Sequence, residues 1–303
     1  MRYFGRNIKL IVNNLVISYT DEGLDEAPVI IFIHGFPLNK SMWDKQMEAL
    51  LVNHRVIAYD IRGHGDSDTG NQDFSIDLFV KDLLAFMDLL KIDKASLCGL
   101  SMGGYIALNA VENFPERFEA LVLSDTQCLP DSPEAKEKRL KAIENIKQNS
   151  VEKYATDSII NLFAPDSFKS KTAETILVKD MIVNTSELSL CNTLLALYNR
   201  NETCSKLSKI NIPVLIMVGE EDVITPLASA QQMHEKIKDS ILYAIDQAGH
   251  LSNLENAEEF NNHLKEFFAT VYKVQQNTNT IGENSILKEL RNKLNMILSF
   301  RSI

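Results

Sequence analysis

The chain has 303 residues, of which 45% are hydrophobic and 24% charged, and its net charge is −10. This composition is typical of a soluble globular protein with one large domain or two ordinary ones. The acidic balance, without a basic stripe, excludes a nucleic-acid-binding role. No apolar run approaches the ~18 residues that span a bilayer. The N-terminus lacks the features of a cleaved signal, which predicts a cytoplasmic protein.

The four cysteines show no C-x-x-C pairing, so the sequence predicts neither a metal site nor a redox motif. A disulfide framework is not expected. Cys98 lies in an apolar run and is interpreted as a buried small hydrophobic residue. The other three are Cys128, Cys191 and Cys204.

The first part of the chain alternates between predicted strands and predicted helices. Two β-branched runs within residues 8–19 surround Asn13 and Asn14 and predict a hairpin. Continuous apolar runs, typical of strands covered on both faces, lie at 28–33, 55–60, 95–100 and 119–125. Helical patterns lie at 41–51, 75–90 and 102–112. The alternation predicts a mostly parallel sheet with helices on both faces.

The alternation is interrupted and then resumes. Residues 126–210 contain no comparable apolar strand and are typical of several helices, which predicts a helical cap inserted after the sixth main strand. Strands are then predicted at 212–219 and 240–245, and helices at 227–237 and 256–271. The predicted fold class is therefore α/β, with a core formed by residues 1–125 and 211–272.

Residues 273–303 differ from the rest of the chain. A polar linker at 275–285 precedes an amphipathic helical pattern at 286–300, and the residues from 285 onward carry a net charge of +3. We interpret this helix as packing on the body of the protein or on a second subunit of a homodimer. Attachment to a membrane surface is the alternative.

The sequence CGLSMGGY, residues 98–105, places Ser101 between glycines directly after an apolar strand. The G-x-S-x-G pattern alone is a weak signal. A serine nucleophile needs a base that takes its proton, a carboxylate that orients the base, and fixed donors for the oxyanion. The remaining evidence must come from residues distant in the chain.

The strongest candidate for the base is His250, which follows the last predicted strand. In open α/β sheets, ligands bind at the carboxyl ends of the strands, where this histidine falls. The other histidines are weaker candidates, because they lie in helical patterns, before a strand or in loops that they organise. They are His34, His54, His64, His234 and His263.

The favoured orienting acid is Asp222, because Pro226 can start the next helix and leaves Asp222 in the connecting loop. Glu220 and Glu221 are neighbouring rivals. Asp125, at the end of the strand 119–125, is the main alternative.

Two backbone amides are candidate oxyanion donors. Met102 follows the serine and opens a helix, so its N–H is free and lies at the positive end of the helix dipole. The second donor is expected in the loop HGFP, where Pro37 has no N–H and Phe36 is the best candidate. The side chains of Phe36, Met102 and Leu38 are candidates for the substrate pocket.

Apolar residues of the predicted cap could line this pocket or pack the cap helices together, and spacing does not separate these interpretations. They are Ile159, Ile160, Leu162, Phe163, Leu194, Leu195 and Leu197.

Together, these segments resemble the α/β-hydrolase superfamily over residues 1–272. The matching segments are HGFP (34–37), DIRGHGDSD (60–68), GLSMGG (99–104), GEEDVITP (219–226) and AGH (248–250). The order Ser, Asp, His also agrees with this family. The chain is most similar to capped carboxylesterases and 3-oxoadipate enol-lactonase-like serine hydrolases.

The predicted function is therefore cleavage of a small carboxylic ester or lactone through an acyl-enzyme, without metal or cofactor. Ser101, Asp222 and His250 are the predicted catalytic residues. Arg62 and His64 in the DIRGHGDSD segment are predicted to be structural. The alternatives are a ligand receptor or scaffold with little turnover, a C–C bond hydrolase or haloperoxidase-like relative, and a membrane-peripheral lipase.

Overall fold

A computed structural model of the chain describes residues 5–273. The predicted linker at 275–285 and the predicted helix at 286–300 lie outside the described residues. The chain divides into two compact units, residues 1–262 and 263–303, and the candidate functional site belongs to the first unit. Of the second unit, residues 263–273 are described and are helical.

Eight strands form one sheet. They are β1 (Gly5–Val12), β2 (Leu15–Gly23), β3 (Val29–Ile33), β4 (Arg55–Tyr59), β5 (Ala95–Leu100), β6 (Phe118–Ser124), β7 (Val214–Gly219) and β8 (Ile241–Ile245). Their order across the sheet is β1-β2-β4-β3-β5-β6-β7-β8. The neighbours β1, β2 and β4 pair antiparallel, and every pairing from β4 to β8 is parallel. The predicted mostly parallel sheet is confirmed.

The predicted hairpin is the turn between β1 and β2. Asn13 and Asn14 have φ angles of 50° and 64°, so both are left-handed. Asparagine tolerates this conformation better than most residues, and two such residues in succession give the turn that suits the twist of paired strands. Val12 and Leu15 pair directly across it.

The helices follow the strands in the predicted order. They are α1 (Asp44–Leu50), α2 (Ile76–Leu89), α3 (Met102–Asn113), α4 (Pro133–Gln148), α5 (Val151–Ile159), α6 (Ser167–Ser170), α7 (Thr172–Val183), α8 (Glu187–Tyr198), α9 (Leu227–Lys236), α10 (Ser252–Glu255) and α11 at 257–273. Within residues 5–273, no helix is long and apolar enough to cross a bilayer.

The segment between β6 and β7, residues 126–210, which we call the insertion, contains helices α4 to α8. Serine caps explain where three of them begin. Ser132, Ser150 and Ser186 each accept a hydrogen bond from the backbone N–H three residues later. The short helix α6 and the helix α7 lack such a side-chain cap, and the sequence patterns did not predict these two individually.

The ends of the insertion are joined by a disulfide between Cys128 and Cys204. The backbone N–H of Thr203 also donates to the carbonyl of Cys128 at 2.9 Å. The expectation that the chain has no disulfide is therefore wrong. The two cysteines are 76 residues apart, and a search for closely spaced cysteines cannot find a pair that only the fold brings together. Cys98 and Cys191 are free and buried.

Replacing Cys204 by serine should lower the free energy of unfolding by about 3 kcal/mol, because the crosslink restricts a long loop of the unfolded chain. The measurement is chemical denaturation of both proteins without reductant. A second pair of curves in the presence of dithiothreitol is the control and should show a much smaller difference. Equal stability of the two proteins without reductant would contradict the prediction.

Candidate active site

Ser101 lies at the turn between β5 and α3 in a strained backbone conformation. Its φ and ψ angles are 53° and −114°, a region that L-residues with a side chain rarely adopt. Its N–H donates to the carbonyl of Ser124 at 2.9 Å, and its carbonyl accepts from Thr126 Oγ1 at 2.8 Å. The end of β6 therefore holds this turn in place.

Glycines permit the close approach of strand and helix at this turn. A Cβ on Gly99 would lie 2.3 Å from the carbonyl oxygen of Gly103, and a Cβ on Gly103 would lie 2.1 Å from that of Ile33. Both obstacles are backbone atoms, which cannot turn away as a side chain would. The glycines on either side of Ser101 are therefore required by the packing of α3 on β5 and β3.

His250 and Asp222 come from the loops after β8 and β7, and they form a buried pair. His250 Nδ1 lies 2.8 Å from Asp222 Oδ2, and the two residues are 2% and 4% exposed. The other oxygen, Asp222 Oδ1, accepts from the backbone N–H groups of Ile224 and Thr225, at 2.8 and 3.0 Å. Thr225 Oγ1 donates to Asp222 Oδ2 at 2.6 Å. The carboxylate is thus fixed, and the bond at Nδ1 leaves Nε2 as the proton-accepting nitrogen of neutral His250.

Each residue of this pair favours the charged form of the other. Burial alone would raise the pKa of Asp222, but the charge of His250 and the hydrogen bonds from His250 and Thr225 outweigh it and lower the pKa to about 2. Burial alone would lower the pKa of His250, and the negative charge and hydrogen bond of Asp222 outweigh it and raise the pKa above its usual value. Asp222 is therefore ionised at neutral pH.

Asp125, the alternative acid, is fully buried near this pair but is bonded elsewhere. Its Oδ1 accepts from the N–H of Gly219 at 2.8 Å, and its Oδ2 accepts from the hydroxyls of Ser124 and Ser252, at 2.7 and 2.6 Å. Burial and then the negative charge of Asp222 raise its pKa to about 7. The carboxylate that contacts His250 is that of Asp222.

Ser101 and His250 line the same cavity, which has a volume of about 470 Å³. In the part of the chain that the structure describes, no hydrogen bond joins the Ser101 hydroxyl to His250; the ring bonds are made at Nδ1. Such contacts are often loose in a protein without substrate and tighten when substrate binds.

The amides of Phe36 and Met102 are available as donors. Neither N–H donates to an acceptor within residues 5–273. Met102 is the first residue of the 12-residue helix α3, so its N–H lies at the positive end of the helix dipole. The loop that carries Phe36 is held by His34, whose Nε2 accepts from the N–H of Ile61 at 3.0 Å and whose Nδ1 contacts the carbonyl of Gly35 at 2.9 Å.

Only some of the residues that were predicted to line the substrate pocket do so. The side chains of Phe36 and Met102 line the cavity, whereas Leu38 is buried and does not. The N–H of Leu38 donates to the carbonyl of Gly35 at 2.9 Å and closes a turn. Leu38 was predicted to line the substrate pocket, but it lies outside the cavity lining.

The apolar residues of the insertion divide in the same way. Those that line the cavity are Leu162, Leu194 and Leu197. Ile159 and Phe163 are buried without lining it, and Ile160 and Leu195 are 64% and 41% exposed. The insertion thus contributes one wall of the cavity that contains Ser101 and His250.

Three charged residues of the insertion also line the cavity, and no sequence pattern predicted them. Asp131 accepts from Arg139 Nε and Nη2, and its Oδ1 lies 2.8 Å from Nη2 of Arg200, which lies outside the cavity lining. Lys138 makes no ion pair with any carboxylate in residues 5–273. The lining therefore carries more positive than negative charge. A sequence pattern does not distinguish these side chains from those of an ordinary solvated helix face.

Arg62 and His64, which were predicted to be structural, are both buried. Arg62 forms a buried ion pair with Asp82, with Nε 2.5 Å from Oδ2. His64 is fully buried, which lowers its pKa to about 3. Neither lines the cavity of Ser101.

Within residues 5–273, no group of three or more His, Cys, Asp or Glu side chains is arranged to hold a metal ion.

Comparisons with known proteins agree with this architecture. The chain is 30% identical over 256 residues to 3-oxoadipate enol-lactonase 2 of Acinetobacter baylyi, covering 83% of this chain and 92% of that protein. It is also similar to two solved structures, an esterase from Thermogutta terrifontis and an enol-lactonase from Burkholderia xenovorans. Their TM-scores are 0.83 and 0.81 at 28% and 26% identity.

The alignments cover almost the whole length of the two related structures. The alignments with the two structures cover 88% and 86% of this chain, and 99% and 100% of theirs. A family profile described as the alpha/beta hydrolase fold matches residues 28–257, which include Ser101, Asp222 and His250. With the sheet order and the strained serine turn, this match shows that the chain belongs to the alpha/beta hydrolase fold family.

Proposed function

We propose that this protein is a serine hydrolase that cleaves a small carboxylic ester or lactone through an acyl-enzyme. The observation that carries the proposal is that Ser101, on its strained turn, shares one cavity with the buried His250–Asp222 pair. A serine hydroxyl is a weak nucleophile until a base takes its proton. His250 offers its Nε2 for this purpose while Asp222 holds its Nδ1.

In the proposed reaction, Ser101 Oγ forms a bond to the carbonyl carbon of the substrate and transfers its proton to His250 Nε2. The carbonyl oxygen becomes an oxyanion that accepts from the amides of Phe36 and Met102. The C–O bond to the leaving group then breaks, and His250 returns the proton to that oxygen. Water, deprotonated by His250, releases the acid and restores Ser101.

Asp222 stabilises the imidazolium that forms at each proton transfer. Its low pKa keeps it ionised over the working range of pH. The insertion is proposed to act as a cap, since Leu162, Leu194 and Leu197 contribute an apolar wall that shields the reacting groups from bulk solvent.

The charge of the lining favours a substrate with an acidic group. Arg139 uses Nε and Nη2 on Asp131, so its Nη1 stays available as a donor, and Lys138 adds a second cation. The names of two similar proteins specify an enol-lactone of 3-oxoadipate. We therefore propose esters or lactones whose acyl part ends in a carboxylate as the preferred class.

The experiment combines labelling and turnover on the full chain. A fluorophosphonate probe should label the native protein on Ser101, located by peptide mass spectrometry, and heat-denatured protein should stay unlabelled. A panel of aryl esters with matched methyl-ended and carboxylate-ended acyl chains should be hydrolysed, the carboxylate-ended ones with higher kcat/KM. The proposal fails if the folded protein neither reacts with the probe nor turns over any ester or lactone of the panel.

A further inference from the structure

Glu255 is a buried acid whose contacts the proposed reaction does not use. It is the last residue of α10, five positions after His250, and is 1% exposed. In residues 5–273 it forms no salt bridge with a lysine, arginine or histidine. A buried carboxylate without a cation needs hydrogen-bond donors to offset the loss of water.

One oxygen of Glu255 holds the backbone on both sides of His250. Oε1 accepts from the N–H of Gly249 at 2.9 Å and from the N–H of Leu251 at 3.4 Å. These two peptide groups flank the histidine, so the carboxylate fixes the direction in which the imidazole leaves the backbone.

The other oxygen of Glu255 is bonded to the insertion. Oε2 accepts from the N–H of Ala164 at 2.8 Å and from Ser167 Oγ at 2.6 Å. Both residues lie between α5 and the first turn of α6. Three of the four partners are backbone N–H groups, which can only donate, so the geometry suits an ionised carboxylate.

The backbones that Glu255 joins are in direct contact. A Cβ on Gly249 would lie 2.5 Å from the nitrogen of Ala164 and 2.8 Å from the carbonyl carbon of Phe163. Leu162, two residues before Ala164, lines the cavity together with His250. A displacement of this part of the insertion is therefore transmitted to the loop that carries the base.

We infer that Glu255 is a positioning residue that ties the loop of His250 to the insertion, so that the cavity wall and the base move as one unit. This inference rests on the proposed function, because it assigns His250 the role of base. Glu255 does not touch the reacting atoms; it acts through the backbone of Gly249 and Leu251.

The charge of Glu255 also reaches His250. The acids that face His250 are Asp222 after β7, Asp125 after β6 and Glu255 on α10, and the negative charge of each raises the pKa of the histidine against the effect of burial. Loss of the charge at position 255 should therefore lower the pKa of His250, a change that a purely structural role would not produce.

The test compares Glu255→Gln with Glu259→Gln in the full chain. Glutamine keeps the size of Glu255 but places an NH₂ group against at least one backbone N–H, so at least one of the four hydrogen bonds is lost. Glu259 is four residues further along, and its Oε2 accepts from Asp246 and Asn256 rather than from the residues that flank His250. The control thus removes the same charge from the same region.

In Glu255→Gln we expect kcat to fall by about 10²-fold at nearly unchanged KM, because the base is misplaced. The ring proton of His250, assigned by its absence in His250→Gln, should titrate at lower pH in an NMR experiment. Glu259→Gln should resemble the wild type in both. Equal kcat and equal titration of His250 in the two glutamine variants would overturn the inference.

Two further measurements keep the test decisive. If Glu255→Gln does not fold, Ser167→Ala removes one bond on the insertion side and should lower kcat several-fold, whereas an unchanged kcat would count against the inference. If the wild type hydrolyses no ester, the proposed function fails. The titration of His250 in Glu255→Gln then still tests the contact between Glu255 and the histidine loop.

Discussion

Replacing Ser101 by alanine is expected to lower kcat for a short-chain ester by about 10⁶-fold. Without the hydroxyl, the proposed acyl-enzyme cannot form, and only the proposed oxyanion donors Phe36 and Met102 and the binding of substrate remain to accelerate attack by water. The cavity and the pair of His250 and Asp222 should be unchanged, because Ser101 contacts its neighbours through its backbone. Steady-state hydrolysis of an aryl ester with purified variant measures the effect.

A matched variant, Ser101→Gly, separates chemistry from folding. Alanine keeps a Cβ at a φ of 53°, whereas glycine adopts this conformation without strain. We expect both variants to be equally inactive, and the glycine variant to be about 1 kcal/mol more stable than the alanine variant in chemical denaturation. Residual activity of folded Ser101→Ala within tenfold of the wild type would exclude Ser101 as the nucleophile.

Much of the fold could be predicted from the sequence because its signals are local. Buried parallel strands are continuous apolar runs, and β5 and β7 are buried at all six of their positions. The hairpin at Asn13 and Asn14 and the cap at Ser75 of α2 likewise depend on neighbouring residues.

The features that sequence patterns did not reveal depend on contacts between distant residues. Cys128 meets Cys204 because the insertion returns to the end of β6, where it began. Glu255 meets Ala164 and Ser167 across 91 and 88 residues. Thr225 differs from these, because its signal is local: a threonine three residues after Asp222 is placed to donate to that carboxylate.

Asp222 and Asp125 show most clearly what the sequence alone does not determine. Both follow strands at the same edge of the sheet, and both are buried beside His250. The sequence favoured Asp222, because Pro226 can start the next helix, and kept Asp125 as the main alternative. The structure pairs His250 with Asp222 at 2.8 Å and bonds Asp125 to Gly219, Ser124 and Ser252. The contact with the imidazole is what distinguishes an orienting acid from a structural one.

Replacing Asp222 by asparagine should therefore lower kcat by about 10⁴-fold. The amide group can donate to His250 Nδ1, which favours the tautomer with the proton on Nε2, and this tautomer cannot accept the proton of Ser101. The variant also lacks the negative charge that raises the pKa of His250, so burial should dominate and lower that pKa. Since the base acts in its neutral form, the acid limb of kcat/KM should move to lower pH.

Asp125→Asn is the matched comparison for Asp222→Asn, because it makes the same carboxyl-to-amide change in the same buried region. Its partners Ser124 and Ser252 are hydroxyls that can accept from an amide as well as donate to a carboxylate. Asp125→Asn should consequently retain most of the wild-type kcat, as measured on the same ester. If Asp125→Asn lost the larger part of the activity and Asp222→Asn kept it, the orienting acid would be Asp125, and the observed contact of His250 would not be the catalytic one.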